Sequence, residues 1–109
     1  MKATKKLHDL GQSLWIDNIT RTMLDDGTEQ RYIDELSVTG QTSNPTIFDK
    51  AISGGDAYDE QIAELREKGM EPEDIFLELA LADVTRAARM FASIHRETDR
   101  MDGWVSLEV

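Results

Sequence analysis

Three short strand candidates, separated by helical segments, constrain the fold of this chain more than any other feature. They cover residues 13–18, 38–44 and 104–109, and the first and third alternate apolar with polar side chains as strands do. Strands joined by helices form βαβ units in a parallel sheet with right-handed crossovers. The sequence therefore predicts an α/β fold with about three parallel strands.

Helical segments are predicted on both sides of each of the first two strand candidates. We expect helices over residues 4–10, 20–24, 28–36, 45–53, 56–69 and 71–98, and a turn over residues 99–103. Asp56 is the expected N-cap of the fifth helix, and the sixth has a candidate break near Asp83.

Residues 39–49 predict the point where a strand passes into a helix. Small polar residues end in Asn44 and Pro45, and an apolar pattern compatible with a helix follows. Pro45 favours an extended Asn44 and suits the first position of a helix, so Asn44 is a candidate N-cap. Parallel α/β folds build active sites at such junctions. A plain capped turn is the alternative interpretation.

Polar side chains recur at the predicted carboxyl ends of the strands. If the apolar faces meet the outer helices, Asp17, Asn44 and Glu108 point to the opposite side, and Thr42 shares the face of Asn44. Burying a carboxylate is costly unless it is hydrogen-bonded or functional. Together these residues indicate a polar site with acid–base capacity. Singly, Asp17 and Asn44 are also compatible with caps, and Glu108 with a solvent-facing strand end.

Composition argues against several other classes of protein. The 109 residues suit one small domain, and a net charge of −10 with scattered basic residues argues against nucleic acid or membrane partners. Cysteine is absent, and no phosphate-loop, dinucleotide, zinc, EF-hand, signal-peptide or membrane-span pattern is found. We assign His8 and His95 to surface or boundary roles, Trp15 and Trp104 to packing, and the acidic helix residues to a solvated face.

Three segments resemble the N-terminal part of bacterial transaldolases: residues 7–19, 39–48 and 103–109. The resemblance covers essentially the whole chain. It implies a (β/α)₈ TIM barrel of the class I aldolase type, with residues 1–109 as its N-terminal portion, truncated after the third strand. A complete barrel usually has about 250 residues. The resemblance also implies a cytoplasmic enzyme that needs no metal or organic cofactor.

The resemblance implies a transfer reaction on sugar phosphates. A dihydroxyacetone unit would move from sedoheptulose 7-phosphate to glyceraldehyde 3-phosphate, yielding erythrose 4-phosphate and fructose 6-phosphate in the pentose phosphate pathway. Asp17 would transfer the proton of the substrate hydroxyl, and Glu108 would position the catalytic water and share that proton traffic. Asn44 would hydrogen-bond the dihydroxyacetone hydroxyls, with Thr42 in the polar lining beside it.

A class I aldolase also needs a lysine that forms a Schiff base with the substrate ketone. The lysines of this chain all fall outside the predicted strands: Lys2, Lys5, Lys6, Lys50 and Lys68. The resemblance places the reactive lysine and the phosphate-binding basic residues beyond Val109. We therefore expect little or no activity from these residues alone.

Two other interpretations stay open at this point. In one, the chain is a non-catalytic half-barrel whose exposed sheet edge pairs with another copy or with a complementary fragment. In the other, it belongs to a different Schiff-base aldolase of the same broad fold.

Overall fold

A parallel sheet forms the centre of the computed structural model, which describes residues 2–108. Its strands follow the order β1 (Leu14–Ile16), β2 (Val38–Thr42) and β3 (Trp104–Ser106). The helices of this range are α1 (Ala3–Asp9), α2 (Arg21–Asp25), α3 (Thr28–Glu35), α4 (Pro45–Ser53), α5 (Asp59–Glu67), α6 (Pro72–Met90) and α7 (Ala92–Glu97). The predicted α/β fold with parallel strands is confirmed, although all three strands are shorter than expected. Val109, the predicted last residue of the third strand, lies outside the described residues.

Two apolar clusters lie between the helices and one face of the sheet. The larger joins α4, α5 and α6 through Phe48, Tyr58, Leu65, Ile75, Leu79 and Ala80, with Leu107 against it. The smaller joins α2 and α6 to β3 through Ile19, Leu24, Ala87 and Val105. Burial of apolar surface therefore stabilises the helical side of the sheet.

The opposite face of the sheet carries two exposed indole rings. Trp15, Gly40 and Trp104 stand opposite one another in the strand register, and the two tryptophans are 45% and 51% exposed. A Cβ atom at Gly40 would lie 2.3 Å from Trp15 Cε2, so only glycine lets this ring rest on β2. Trp15 packs against β2 with one side of its ring and leaves the other side exposed, so the predicted packing role holds for one side.

The helix that follows β2 has the predicted N-cap and the predicted bounds, although β2 ends at Thr42 rather than at Asn44. Asn44 is extended and accepts hydrogen bonds from the backbone N–H groups of Thr46 and Ile47, at 3.1 and 3.2 Å. Pro45 occupies the first turn, where its missing N–H costs nothing. The helix ends at Ser53, as predicted. Local capping chemistry is therefore sufficient to set these bounds.

Two details of the helix predictions were wrong. Asp56 does not cap α5; the N-cap is Tyr58, without a side-chain cap, and Asp56 contributes only a turn carbonyl to the N–H of Asp59. The long helix does not break near Asp83 but at Phe91, where α6 gives way to α7. Phe91 is fully buried, so packing rather than local sequence places the bend.

Asp83 stays helical because it is bound to two other elements. Its carboxylate receives the Arg21 Nε–H at 2.9 Å and the Tyr58 hydroxyl at 2.6 Å, while Arg21 N–H donates to the Tyr58 oxygen at 2.8 Å. Burial, together with the hydrogen bond to Asp83, raises the pKa of Tyr58 far above its ordinary value. Both Asp83 and Glu29 are buried, so the solvated face predicted for all acidic helix residues was wrong for these two.

The turn that enters β3 was predicted and is confirmed. Asp99, Arg100 and Gly103 have positive φ, and Gly103 N–H donates to Thr39 O at 2.7 Å. A Cβ at Gly103 would lie 2.6 Å from the backbone nitrogen of His95, so glycine allows α7 to approach this turn. The turn thus ties the start of β3 to the start of β2.

Candidate active site

The predicted site residues gather at the carboxyl ends of the three strands. Asp17 directly follows β1 and is exposed, Thr42 is the last residue of β2, and Asn44 caps α4. Glu108 follows β3 by two residues and is exposed. Because the strands are parallel, these positions share one edge of the sheet.

The strand register places Thr42 on the face of the sheet that the helices do not cover, called the open face below. Thr42 stands opposite Ser106, and both alternate with Gln41 and Val105, which turn toward the helices. The face that carries Thr42 is therefore the one that carries Trp15 and Trp104. Val105 faces the helices, as predicted, but the buried Gln41 shares that side and the two tryptophans share the open side with Thr42.

Ser43 connects the end of β2 to the end of β3. Its N–H donates to Ser106 O at 3.0 Å, and its hydroxyl oxygen accepts the Glu108 N–H at 2.7 Å. Glu108 lies beyond the last paired residue of β3, and this hydrogen bond holds its backbone beside the residue that precedes Asn44. The backbone segments that carry Asn44 and Glu108 are thereby fixed to each other.

A second connection joins the ends of β1 and β2. The side-chain amide of Gln41 donates to the backbone oxygen of Asn18 at 2.7 Å and to Glu29 Oε1 at 2.9 Å. Asn18 follows Asp17, so this contact fixes the Asp17 backbone relative to Thr42. Neither Gln41 nor Ser43 was predicted to take part, although their alternation with Thr42 indicates side chains that face the helices.

Asn44 uses its side-chain oxygen in the cap of α4. Since that oxygen receives two backbone N–H groups, the Nδ2 amino group is the part of the side chain that can donate to a ligand. Capping and ligand recognition are therefore compatible in one residue.

A cavity of about 200 Å³ adjoins Glu108 on the helical side. Ser43, Phe48, Leu77 and Leu107 line it together with Glu108, so the carboxylate stands where an apolar cavity meets the polar edge. Within residues 2–108, no hydrogen bond or ion pair joins the side chains of Asp17, Asn44 and Glu108 to one another. The arrangement supplies two carboxylates and an amide donor without an internal charge partner.

None of the five lysines lies on a strand that ends at this edge. Every lysine falls within residues 2–108, each is exposed, and none is on a strand.

The described residues include no helix with the length and apolar character needed to cross a membrane. Between Lys2 and Glu108, no group of three histidine, aspartate or glutamate side chains is arranged to hold a metal ion.

Comparison with known proteins gives one consistent family. The family described as transaldolase/fructose-6-phosphate aldolase matches residues 14–109. A protein named transaldolase 2 from Streptomyces coelicolor is 40% identical over 107 residues, covering 98% of this chain and 29% of the relative. A transaldolase from Kocuria rhizophila is 42% identical over 106 residues, covering 97% of this chain and 29% of that relative.

A more distant relative shows the same proportions. Transaldolase 2 from Nostoc punctiforme is 35% identical over 104 residues, which is 95% of this chain and 27% of that protein. The chain therefore spans less than a third of the length of the curated relatives it matches.

Proposed function

Because the chain belongs to the transaldolase/fructose-6-phosphate aldolase family, we propose that its protein is a transaldolase. It moves a dihydroxyacetone unit between ketose and aldose phosphates, converting sedoheptulose 7-phosphate and glyceraldehyde 3-phosphate to erythrose 4-phosphate and fructose 6-phosphate. The observation that carries this proposal is family membership combined with polar residues at one carboxyl edge of a parallel sheet. Residues 1–109 form part of one (β/α)₈ barrel domain in this proposal.

Asp17 is the proposed acid–base group of carbon–carbon cleavage. A lysine amine first condenses with the substrate ketone, releasing water and leaving an iminium that can accept an electron pair. Asp17 then takes the proton of the hydroxyl on the fourth carbon. The electrons of the bond between the third and fourth carbons pass to the iminium nitrogen, and an aldose phosphate leaves. Reversal with a second aldehyde returns the proton.

The other residues of the edge bind and orient the substrate. Asn44 donates through Nδ2 to hydroxyls of the dihydroxyacetone unit, and Thr42, the last residue of β2, extends the polar lining. Glu108 positions a water molecule and shares proton transfer with Asp17. The hydrogen bonds from Gln41 to Asn18 and from Glu108 to Ser43 support this assignment, because they limit relative movement of the segments involved.

The reactive lysine is proposed to lie outside these residues, since all five lysines of the chain are exposed and off the strands. The reaction then uses no metal or organic cofactor. Its partners are sugar phosphates rather than nucleic acid or a membrane, in keeping with the net charge of −10. The proposed enzyme acts in the pentose phosphate pathway. Its proposed location is the cytoplasm.

Borohydride reduction in the presence of fructose 6-phosphate tests the proposal on the protein at its natural length. Without an acceptor, the wild type should retain a reduced three-carbon unit on a lysine outside residues 1–109. Asp17→Asn should form the Schiff base but fail to cleave it, so the reduced adduct should contain six carbons. Peptide mass mapping distinguishes these two adducts and locates the modified lysine.

The exposed Asp49 on α4 provides a matched control. Asp49→Asn should give the same three-carbon adduct as the wild type. Failure of the wild type to trap any sugar, or attachment to one of the five lysines of this chain, would contradict the mechanism.

A non-catalytic half-barrel is the second candidate, favoured by the exposed tryptophan face and by β3, which pairs only with β2 in the described residues. Such a module would associate through β3 with another copy or a complementary fragment. Light scattering of the chain should then show an oligomer, and a stable monomer would exclude self-association.

A further inference from the structure

Glu29 and Gln41 form a completely buried acid–amide pair behind the sheet. Glu29 lies in the first turn of α3 and Gln41 in β2, and both are 0% exposed. Gln41 Nε2 donates to Glu29 Oε1 at 2.9 Å and to Asn18 O at 2.7 Å. Neither residue belongs to the proposed reaction.

The orientation of the Gln41 amide follows from its partners. A backbone carbonyl only accepts hydrogen bonds, so the atom that contacts Asn18 O must be the nitrogen. Both of its hydrogens are then used. Gln41 Oε1 and Glu29 Oε2 are left buried without a hydrogen-bond partner among the described residues. Glu29 and Gln41, which already share one hydrogen bond, therefore each keep one oxygen that receives no hydrogen bond.

We infer that Glu29 remains protonated in the folded protein and closes a two-hydrogen-bond ring with the Gln41 amide. Carboxyl and amide groups are planar, so a proton on Glu29 Oε2 can bond to Gln41 Oε1 while Gln41 Nε2 donates to Glu29 Oε1. One proton satisfies both orphaned oxygens. An ionised Glu29 would leave both unpaired and place a charge in a site without water access.

The charged groups around Glu29 are committed to other partners. The elements packed most closely on α3 are α2 and β2, and β2 has no ionisable side chain. In α2, Arg21 pairs with Asp83 and Asp25 with Arg86. Asp26, which follows α2, accepts the Thr28 N–H at 2.9 Å.

Asp17 is exposed beyond β1, and on α3 itself Arg31, Asp34 and Glu35 are exposed. Among the described residues, no cation forms an ion pair with Glu29, which agrees with the neutral form.

The direction of the Glu29 pKa is consistent with this geometry. Burial raises the pKa of Glu29, and the hydrogen bond from Gln41 opposes that shift without reversing it. A raised pKa in the folded state means that the neutral pair stabilises the fold fully below the unfolded pKa. That stabilisation is lost as the pH rises toward and through the folded pKa.

The pair acts as a pH-sensitive clamp on the carboxyl edge. Gln41 holds Asn18 through the same nitrogen that holds Glu29. Ionisation of Glu29 removes the bond to Gln41 Oε1 and leaves a buried charge beside the contact that joins the ends of β1 and β2. This inference does not depend on the proposed reaction, because it concerns the protonation state and folding of the chain itself.

Carbon NMR of the side-chain carboxyl groups tests the protonation state in the wild-type protein. In the protein at its natural length at pH 5, just above the ordinary glutamic acid pKa of about 4.3, the Glu29 carboxyl carbon should keep the chemical shift of a neutral acid. The signal is assigned by its loss in Glu29→Gln. The shift of a carboxylate for Glu29 at pH 5 would overturn the inference.

Glu29→Gln provides the second test. The new amide carries its own N–H donor and can form the same ring with Gln41 without taking up a proton. The unfolding equilibrium constant of the wild type, divided by that of Glu29→Gln, should rise by up to about tenfold per pH unit above pH 5 until Glu29 ionises. Glu35→Gln, at an exposed position on the same helix, is the matched control substitution. A flat ratio for Glu29→Gln between pH 5 and 8 would also overturn the inference.

Discussion

At the residue scale, Gly40 shows how one missing side chain shapes the open face of the sheet. The Trp15 ring occupies the space that a Cβ would need, with ring atoms 2.3 to 2.6 Å from that position. Gly40 pairs with Trp15 on one side and Trp104 on the other. A side chain here would displace the indole and disturb the register at the centre of the sheet.

Gly40→Ala should therefore destabilise the fold by about 1–3 kcal/mol, the usual cost of overpacking a close contact. Urea unfolding measures this change. Gly55→Ala is the control, because a Cβ at Gly55 meets nothing within 4 Å and should leave stability almost unchanged. Equal stability of the two variants would show that Trp15 does not rest on Gly40.

At the element scale, the β2–α4 junction was the part of the fold that local sequence specified best. Asn44 and Pro45 supply the cap and the first turn by short-range chemistry alone, and both helix bounds were predicted correctly. Asp56 failed as a cap because Tyr58 is drawn into the core and starts α5 instead. Whether Asp56 caps α5 thus depended on how Tyr58 packs in the core, which local sequence does not show.

Asn44→Asp separates the two roles assigned to this residue. An aspartate retains the capping oxygen but lacks the amide donor, so stability should stay close to that of the wild type while the proposed transfer activity falls at least tenfold. Asn44→Ala should lose both, with about 1 kcal/mol of stability. Chemical denaturation and a transfer assay on the protein at its natural length measure the two effects. Full activity in Asn44→Asp would remove Asn44 from the proposed site.

Tertiary contacts explain why the element predictions failed at Asp83. The polar side chain looked like a break in α6, yet Arg21 and Tyr58 satisfy it from separate elements that lie far away in sequence. The prediction that Glu29 is solvated failed for the same reason, since its partner Gln41 lies in a strand. Periodicity identifies a helix, but it does not show which of its acids will find a buried partner.

At the scale of the whole molecule, the parallel order of the strands could be predicted because alternating strands and helices leave few other topologies. The shared edge of Asp17, Thr42, Asn44 and Glu108 followed from that order. The hydrogen bonds that fix this edge, through Gln41 and Ser43, could not be predicted because they depend on strand register. Sequence therefore indicated which residues lie at this edge of the sheet better than it indicated what holds them there.

The proposed activity of the whole protein is tested most directly by its products. The protein at its natural length should convert fructose 6-phosphate and erythrose 4-phosphate to sedoheptulose 7-phosphate and glyceraldehyde 3-phosphate in equal amounts, measured by mass spectrometry. Product formation should require the acceptor aldehyde. Absence of sedoheptulose 7-phosphate, or release of free dihydroxyacetone whether or not erythrose 4-phosphate is present, would contradict the assignment as a transaldolase.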